Sequence, residues 1–156
     1  MDMIPKKIYS MFSTDSNGSL PEVSVVFQNE KDRLMALRTI LENSKVTENS
    51  IIYLENQDIK CLDLGFDKLV NSLNTSHHIN VTEFKSLPEL GVGIFENGIA
   101  IDFRTGREWS EEAVEDFMEL LYIFWKVNCA KKICLDEEGI CFSQEEIDLF
   151  NSLFFS

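Results

Sequence analysis

Two short apolar runs, residues 92–95 and 99–103, stand either side of Glu96-Asn97-Gly98. Asn-Gly between apolar runs is the strongest short-range signal for a β-hairpin, because both residues tolerate the positive φ of a two-residue turn. The pair commits the middle of the chain to antiparallel strands. Arg104-Thr105-Gly106 then turns the chain out of the hairpin, and Ser110 stands where a helix N-cap is expected. A long helix is predicted from Glu111 to about Val127. Its apolar face is Val114, Phe117, Met118, Leu121, Phe124 and Trp125. Glu111 and Glu112 in its first turn suit the positive end of the helix dipole.

The rest of the chain fits the same plan. Residues 13–21 are rich in turn formers and read as a loop. Residues 22–27, EVSVVF, read as a strand. Asn29 can cap a helix reaching about residue 43, with Leu34, Leu37, Ile40 and Leu41 on one face. Short strands are expected over 50–54 and 59–62, with 55–58 turning between them. A short helix follows over 66–73, a loop over 74–78 and a strand over 79–84. Residues 132–135 and 139–142 suggest a second hairpin, turning through 136–139. Ser143-Gln144-Glu145-Glu146 is a capping box opening a last helix, with Ile147, Phe150, Leu153 and Phe154 on one face. No internal repeat, low-complexity tract or linker interrupts the pattern. The expectation is one α+β domain over residues 1–156, a mainly antiparallel sheet packed with three to four helices.

Composition limits what such a domain does. The chain has 156 residues, 44% of them hydrophobic and twelve of them Phe, which is enough for a sizeable core. Its net charge is −13, from 27 acidic and 14 basic residues. A field of that sign repels nucleic acid and anionic membranes and favours a basic protein partner. Cys61, Cys129, Cys134 and Cys141 form no CxxC pair, the first residues hold no continuous apolar segment, and the longest clear apolar run is only 120–125. A cytoplasmic protein with free thiols, the cysteines acting as small hydrophobes, is the simplest expectation.

Motifs for chemistry are missing. There is no GxxxxGK, no GxGxxG and no GxSxG. His77 and His78 are adjacent in a polar stretch, where neighbouring side chains diverge. They read as surface residues. Asp58 and Asp63 make an acid pair, but among 27 acids such pairs arise by accident. No enzymatic activity, cofactor or metal is expected.

Charge placement says more. Residues 1–88 hold 12 acids against 9 bases, whereas residues 89–156 hold 15 against 5. Glu108, Glu111, Glu112, Glu115, Asp116 and Glu119 gather around the long helix. Glu111, Glu115 and Glu119 are four apart and share one stripe, with no Lys or Arg on that stretch to relieve them. An ordinary solvated face and a docking surface for a basic partner are both open readings. Asp136, Glu137 and Glu138 could extend the surface.

The stretch GIAIDFRTGREWSEEAVEDFMELL, residues 98–121, runs from a strand through D-[FY]-R-x-G-x-E-W into a helix. It resembles a pattern in small bacterial proteins, among them immunity proteins of polymorphic toxin and contact-dependent inhibition systems. Asp102, Arg104, Gly106 and Trp109 carry the resemblance. A structural role for these four stands beside it: a turn at Gly106, an anchor at Trp109, and pairing or capping by Asp102. The resemblance implies an acidic, cytoplasmic, single-domain protein that neutralises a toxin by binding it; with the acidity focused on one half and no catalytic groups, the expectation is an immunity-type protein that occludes a basic toxin domain, such as a nuclease. The alternative is a non-catalytic adaptor for a cellular protein. A third reading, an enzyme using Asp58, Asp63 and Asp102, has no motif behind it.

Overall fold

A computed structural model describes residues 3–15, 18, 20–48, 50–54, 57–60, 64–73, 78–135 and 141–155, with strands 51–54 and 57–60 described by their backbone. The elements run α1 (Lys6–Ser13), β1 (Glu22–Phe27), α2 (Glu30–Leu41), β2 (Lys45–Val46), β3 (Ile51–Leu54), β4 (Gln57–Lys60), α3 (Phe66–Leu73), β5 (Ile79–Thr82), β6 (Leu90–Phe95), β7 (Gly98–Asp102), α4 (Glu111–Lys126), β8 (Ala130–Leu135) and α5 (Gln144–Ser152). The fold is α+β. Six strands form one sheet in the order β2-β5-β6-β7-β1-β8, every neighbouring pair antiparallel. β3 and β4 make a separate two-stranded ribbon, tied to the main sheet where the Asn80 N–H donates to Ser50 Oγ at 3.0 Å.

The sheet has two unlike faces. Val23, Val25 and Phe27 of β1, Ile99 and Ile101 of β7, and Leu90 and Val92 of β6 are all buried and share one face. α2 packs on β1 and β7, while α4 and α5 pack on β8. The opposite face carries Ser24, Asn80, Gly91, Gly93, Ala100 and Asp102, which are small or polar. Helices on one side and polar residues on the other is the usual arrangement of an antiparallel sheet.

Local chemistry explains the ends of the elements. Asn29, Ser110 and Ser143 each accept the backbone N–H of the third residue of their helix, and Ser143 with Glu146 completes the capping box. At the hairpin, Asn97 takes φ 57°. Gly98 does not adopt positive φ. Its hydrogen atom is needed because the Phe95 ring lies across it, 2.1 Å from where a Cβ would stand.

Three expectations are revised. α1 is a fifth helix, and Ile8, Met11 and Phe12 on its inner face are buried. Phe12 stacks on Phe103 at 5.1 Å and meets Trp109, Phe117 and Phe150, so the start of the chain closes the core. Cys141 and Phe142 lie in a bend rather than a strand, and residues 136–140 fall outside the described residues. Among the described residues β8 lies at the edge of the sheet, with β1 as its partner. β5 stops at Thr82, because Glu83 (φ 60°) and Lys85 (φ 49°) turn the chain through a left-handed conformation.

Candidate functional site

α4 presents the acidic stripe as its spacing demands. Ala113, Val114, Phe117, Met118, Leu120, Leu121 and Phe124 turn inward, leaving Glu111, Glu112, Glu115 and Glu119 exposed, with Glu108 exposed just before the helix. Asp116 differs from the others. It is half-buried, and its Oδ2 accepts both the Ser86 hydroxyl at 2.5 Å and the Ser86 N–H at 3.2 Å. It is a structural clamp on the 83–89 loop rather than an open docking charge. The same loop brings Lys85 Nζ to 3.5 Å from Glu119, so relief absent from the helix itself arrives from elsewhere in the chain. Asp136, Glu137 and Glu138 lie outside the described residues.

α1 adds something the sequence did not flag. Tyr9 donates its phenol hydrogen to Glu115 Oε1 at 2.9 Å. Burial, that bond and the nearby charges of Glu115 and Glu111 push the Tyr9 phenol above its ordinary range. Between α1 and α4 lies a cavity of about 550 Å³ with a floor of Ile4, Tyr9, Tyr122 and Ile123 and a rim of Glu115 and Glu119. The acidic stripe is thus one bank of an apolar groove.

The D-F-R-T-G-R-E-W stretch divides in two. Trp109 is buried, and its ring meets Phe12, Phe103 and Phe117. Its indole N–H donates to the Arg104 carbonyl at 2.6 Å. Gly106 sits at φ 152°, which glycine adopts most readily, and its N–H reaches the Phe12 carbonyl at 2.9 Å. These two build the turn and the core. Asp102 and Arg104 face the other way, with Glu108, into a second cavity of about 510 Å³.

That cavity opens on the polar face of the sheet. Asp102 is the last residue of β7 and pairs across the ladder with Gly91. A Cβ at Gly91 would stand 2.3 Å from Asp102 Oδ1, so the carboxylate lies over the glycine. Burial raises the Asp102 carboxyl above its ordinary value, and the charge of His78 opposes the shift. His78, Asn80, Ser86 and Glu89 complete the polar lining, and Leu87, Pro88 and Phe103 the apolar part. Nothing in the sequence alone joins His78 or Glu89 to Asp102. They meet only through the β5–β6–β7 register.

Among the described residues, the remaining candidates form no further site. Asp63 and His77 lie outside the described residues, and Asp58 is placed by its backbone on β4. Cys129 is exposed, while Cys134 and Cys141 are half-buried rather than core residues; Cys61 is outside the described residues. Burial pushes the Cys141 thiol up, which makes it less reactive. Among the described residues, no group of three His, Cys, Asp or Glu could hold a metal ion, and no helix is long and apolar enough to cross a membrane. No known family model, curated protein or solved structure matches the chain.

Proposed function

We propose that this domain is an immunity-type protein that binds a cognate basic toxin domain, a nuclease being the kind of target whose cleft suits it, and neutralises it by occlusion. One observation carries the reading: Glu111, Glu115 and Glu119 stand exposed along α4 beside an apolar groove floored by Ile4, Tyr9, Tyr122 and Ile123. Carboxylates in a row steer a basic surface into place and take up positions that phosphates would occupy in its cleft. The adjoining apolar floor offers the desolvated anchor that charges alone lack, since binding energy concentrates in such buried contacts.

The test pairs this chain with the product of the neighbouring gene. The wild type is expected to bind that product, suppress its toxicity, and lose affinity steeply with salt. A triple variant, Glu111→Lys, Glu115→Lys and Glu119→Lys, is expected to lose affinity and most of the salt dependence. Unchanged affinity and salt dependence in the folded triple variant would place the interface elsewhere. Binding to a non-toxic cellular protein, with no inhibition, would support the adaptor reading instead.

A further inference from the structure

We propose that the face along α4 takes one amphipathic α-helix of the partner, apolar in its N-terminal half and basic in its C-terminal half, lying antiparallel to α4. The inference rests on the docking reading of this face and names the element the face is shaped to receive.

The face changes character along a single helix. Glu111, Glu115 and Glu119 are exposed on successive turns. Tyr122 and Ile123 follow on the same side and form the groove floor with Ile4 and Tyr9. The apolar surface continues beyond the groove. The Tyr122 ring meets Trp125 edge-on at 5.7 Å, and Trp125 meets Phe155 at 4.8 Å. Met3, on the groove wall, and Phe155 are large apolar side chains left exposed. Such side chains scattered singly are ordinary, but a continuous run joined to a groove marks a contact surface. From Glu111 to Trp125 the face spans about 21 Å, at about 1.5 Å per residue.

That order specifies what covers it. A wholly apolar segment would leave the carboxylates stripped of water and unpaired, which is unfavourable. A wholly basic one would bury cations over Tyr122, Ile123 and Trp125. Lys126 Nζ already sits 3.7 Å from the centre of the Trp125 ring, and its charge repels a second cation there. The occupant is therefore basic opposite residues 111–119 and apolar opposite 122–125. The carboxylates recur once per helical turn, about 5.4 Å, which is also the repeat of one face of a second helix. A strand repeats a face about every 6.6–6.8 Å and falls out of step over three contacts. An amphipathic helix laid in a groove uses this kind of spacing. Its direction follows from the helix dipole. Lys and Arg are favoured in the last turns of a helix, as Glu111 and Glu112 are in the first turn of α4. A basic C-terminal half set against the acidic N-terminal half of α4 makes the two helices antiparallel.

The test titrates the ¹⁵N-labelled 156-residue chain with three acetylated, amidated, alanine-based peptides of about sixteen residues, or about four and a half turns. The first carries Leu and Trp on one face of its N-terminal half and Lys on the same face of its C-terminal half. The second exchanges the two halves. The third is the first with two central prolines, which break the helix. The first is expected to shift the amides of Glu115, Glu119, Ile123 and Phe155 saturably, and the other two to bind about tenfold more weakly. Ile123→Lys puts a cation on the half-buried groove floor and is expected to weaken the first peptide about tenfold, with the fold checked by the ¹⁵N spectrum. No saturable shift overturns the proposal. So does equal affinity of the first and second peptides, or of the first and third, the latter meaning an extended occupant. The docking reading is tested on the product of the neighbouring gene, so the two fail separately. Loss of that complex in the α4 triple variant, without peptide binding, keeps the docking face and removes the helix. Peptide binding without that complex keeps the helix and removes the toxin.

Discussion

Glu115 sits between two like charges, Glu111 and Glu119, each four residues away on α4. Like-charge pairs at this spacing destabilise a helix by about 0.2–0.5 kcal/mol each. Replacing Glu115 with Gln removes both repulsions, a relief of about 0.4–1 kcal/mol. Against this stands the bond from Tyr9 at 2.9 Å. A glutamine oxygen still accepts that hydrogen, so only the charge assistance is lost, about a few tenths of a kcal/mol at an exposed position. The net expectation for Glu115→Gln is a stabilisation of about 0.5 kcal/mol, or about 1–2 °C in Tm for a chain of this size. Paired thermal and urea unfolding at low ionic strength measures it. In 1 M NaCl the Debye length falls to about 3 Å and the gain should largely vanish. A variant less stable than the wild type by about 0.5 kcal/mol or more at low salt would refute the reasoning. So would a gain that survives 1 M salt. The first result would mean that the Tyr9 bond outweighs the repulsion, and the second that the gain is not electrostatic in origin.

Phe12→Ala should cost about 3–5 kcal/mol by leaving a void among four aromatic rings, a large share of the total of about 5–15; a loss under about 1 kcal/mol in urea unfolding would show that α1 is not part of the core. Ser143→Ala breaks the capping box and should cost about 1 kcal/mol, read from the same titration. Asp102→Asn should change stability with pH. The folded state holds the Asp102 proton more tightly than the unfolded chain does, so that contribution is present below about pH 4 and lost as pH rises through the elevated pKa. The variant should therefore match the wild type in acid and gain on it toward neutrality. Because His78, Glu89, Glu108 and Arg104 line the same cavity, the comparison is made against this single substitution, and a difference flat across pH 3–7 (a range set by the ordinary carboxylate value of about 4) would contradict the assignment.

Local signals located most of the elements, because the rules that govern them are local. The turn at Glu96-Asn97, the caps at Asn29, Ser110 and Ser143, and the alternation in EVSVVF depend on a handful of neighbours each. α1 had a legible signal as well, Ile8, Met11 and Phe12 at helical spacing, but it is short and begins after Pro5 without a side-chain cap. The polar cavity was out of reach for a different reason. Asp102 and Gly91 are opposed only once the register of two strands is set, and His78 joins them only through a third. Likewise, Lys85 and Ser86 could not be assigned to Glu119 and Asp116 from spacing, since they reach α4 across about thirty residues of chain.

The two anionic surfaces have a physical connection in the loop between β5 and β6. Its backbone passes through left-handed conformations at Glu83 and Lys85, neither of which is glycine, and such positions persist where surrounding contacts fix them. Those contacts are known. Lys85 pairs with Glu119, and Ser86 is held by Asp116, while Ser86 and Glu89 line the Asp102 cavity. The acids of α4 are therefore not equivalent. Asp116 holds the cavity wall, Glu119 is shared between the loop and the groove, Glu115 accepts the Tyr9 hydroxyl at the groove rim, and Glu111 is exposed one turn before it. Elsewhere the local rules of capping, alternation and core packing agree with one another. They are broken at a stripe of like charges and at a half-buried carboxylate laid over a glycine, and proteins tend to break such rules where the surface is used.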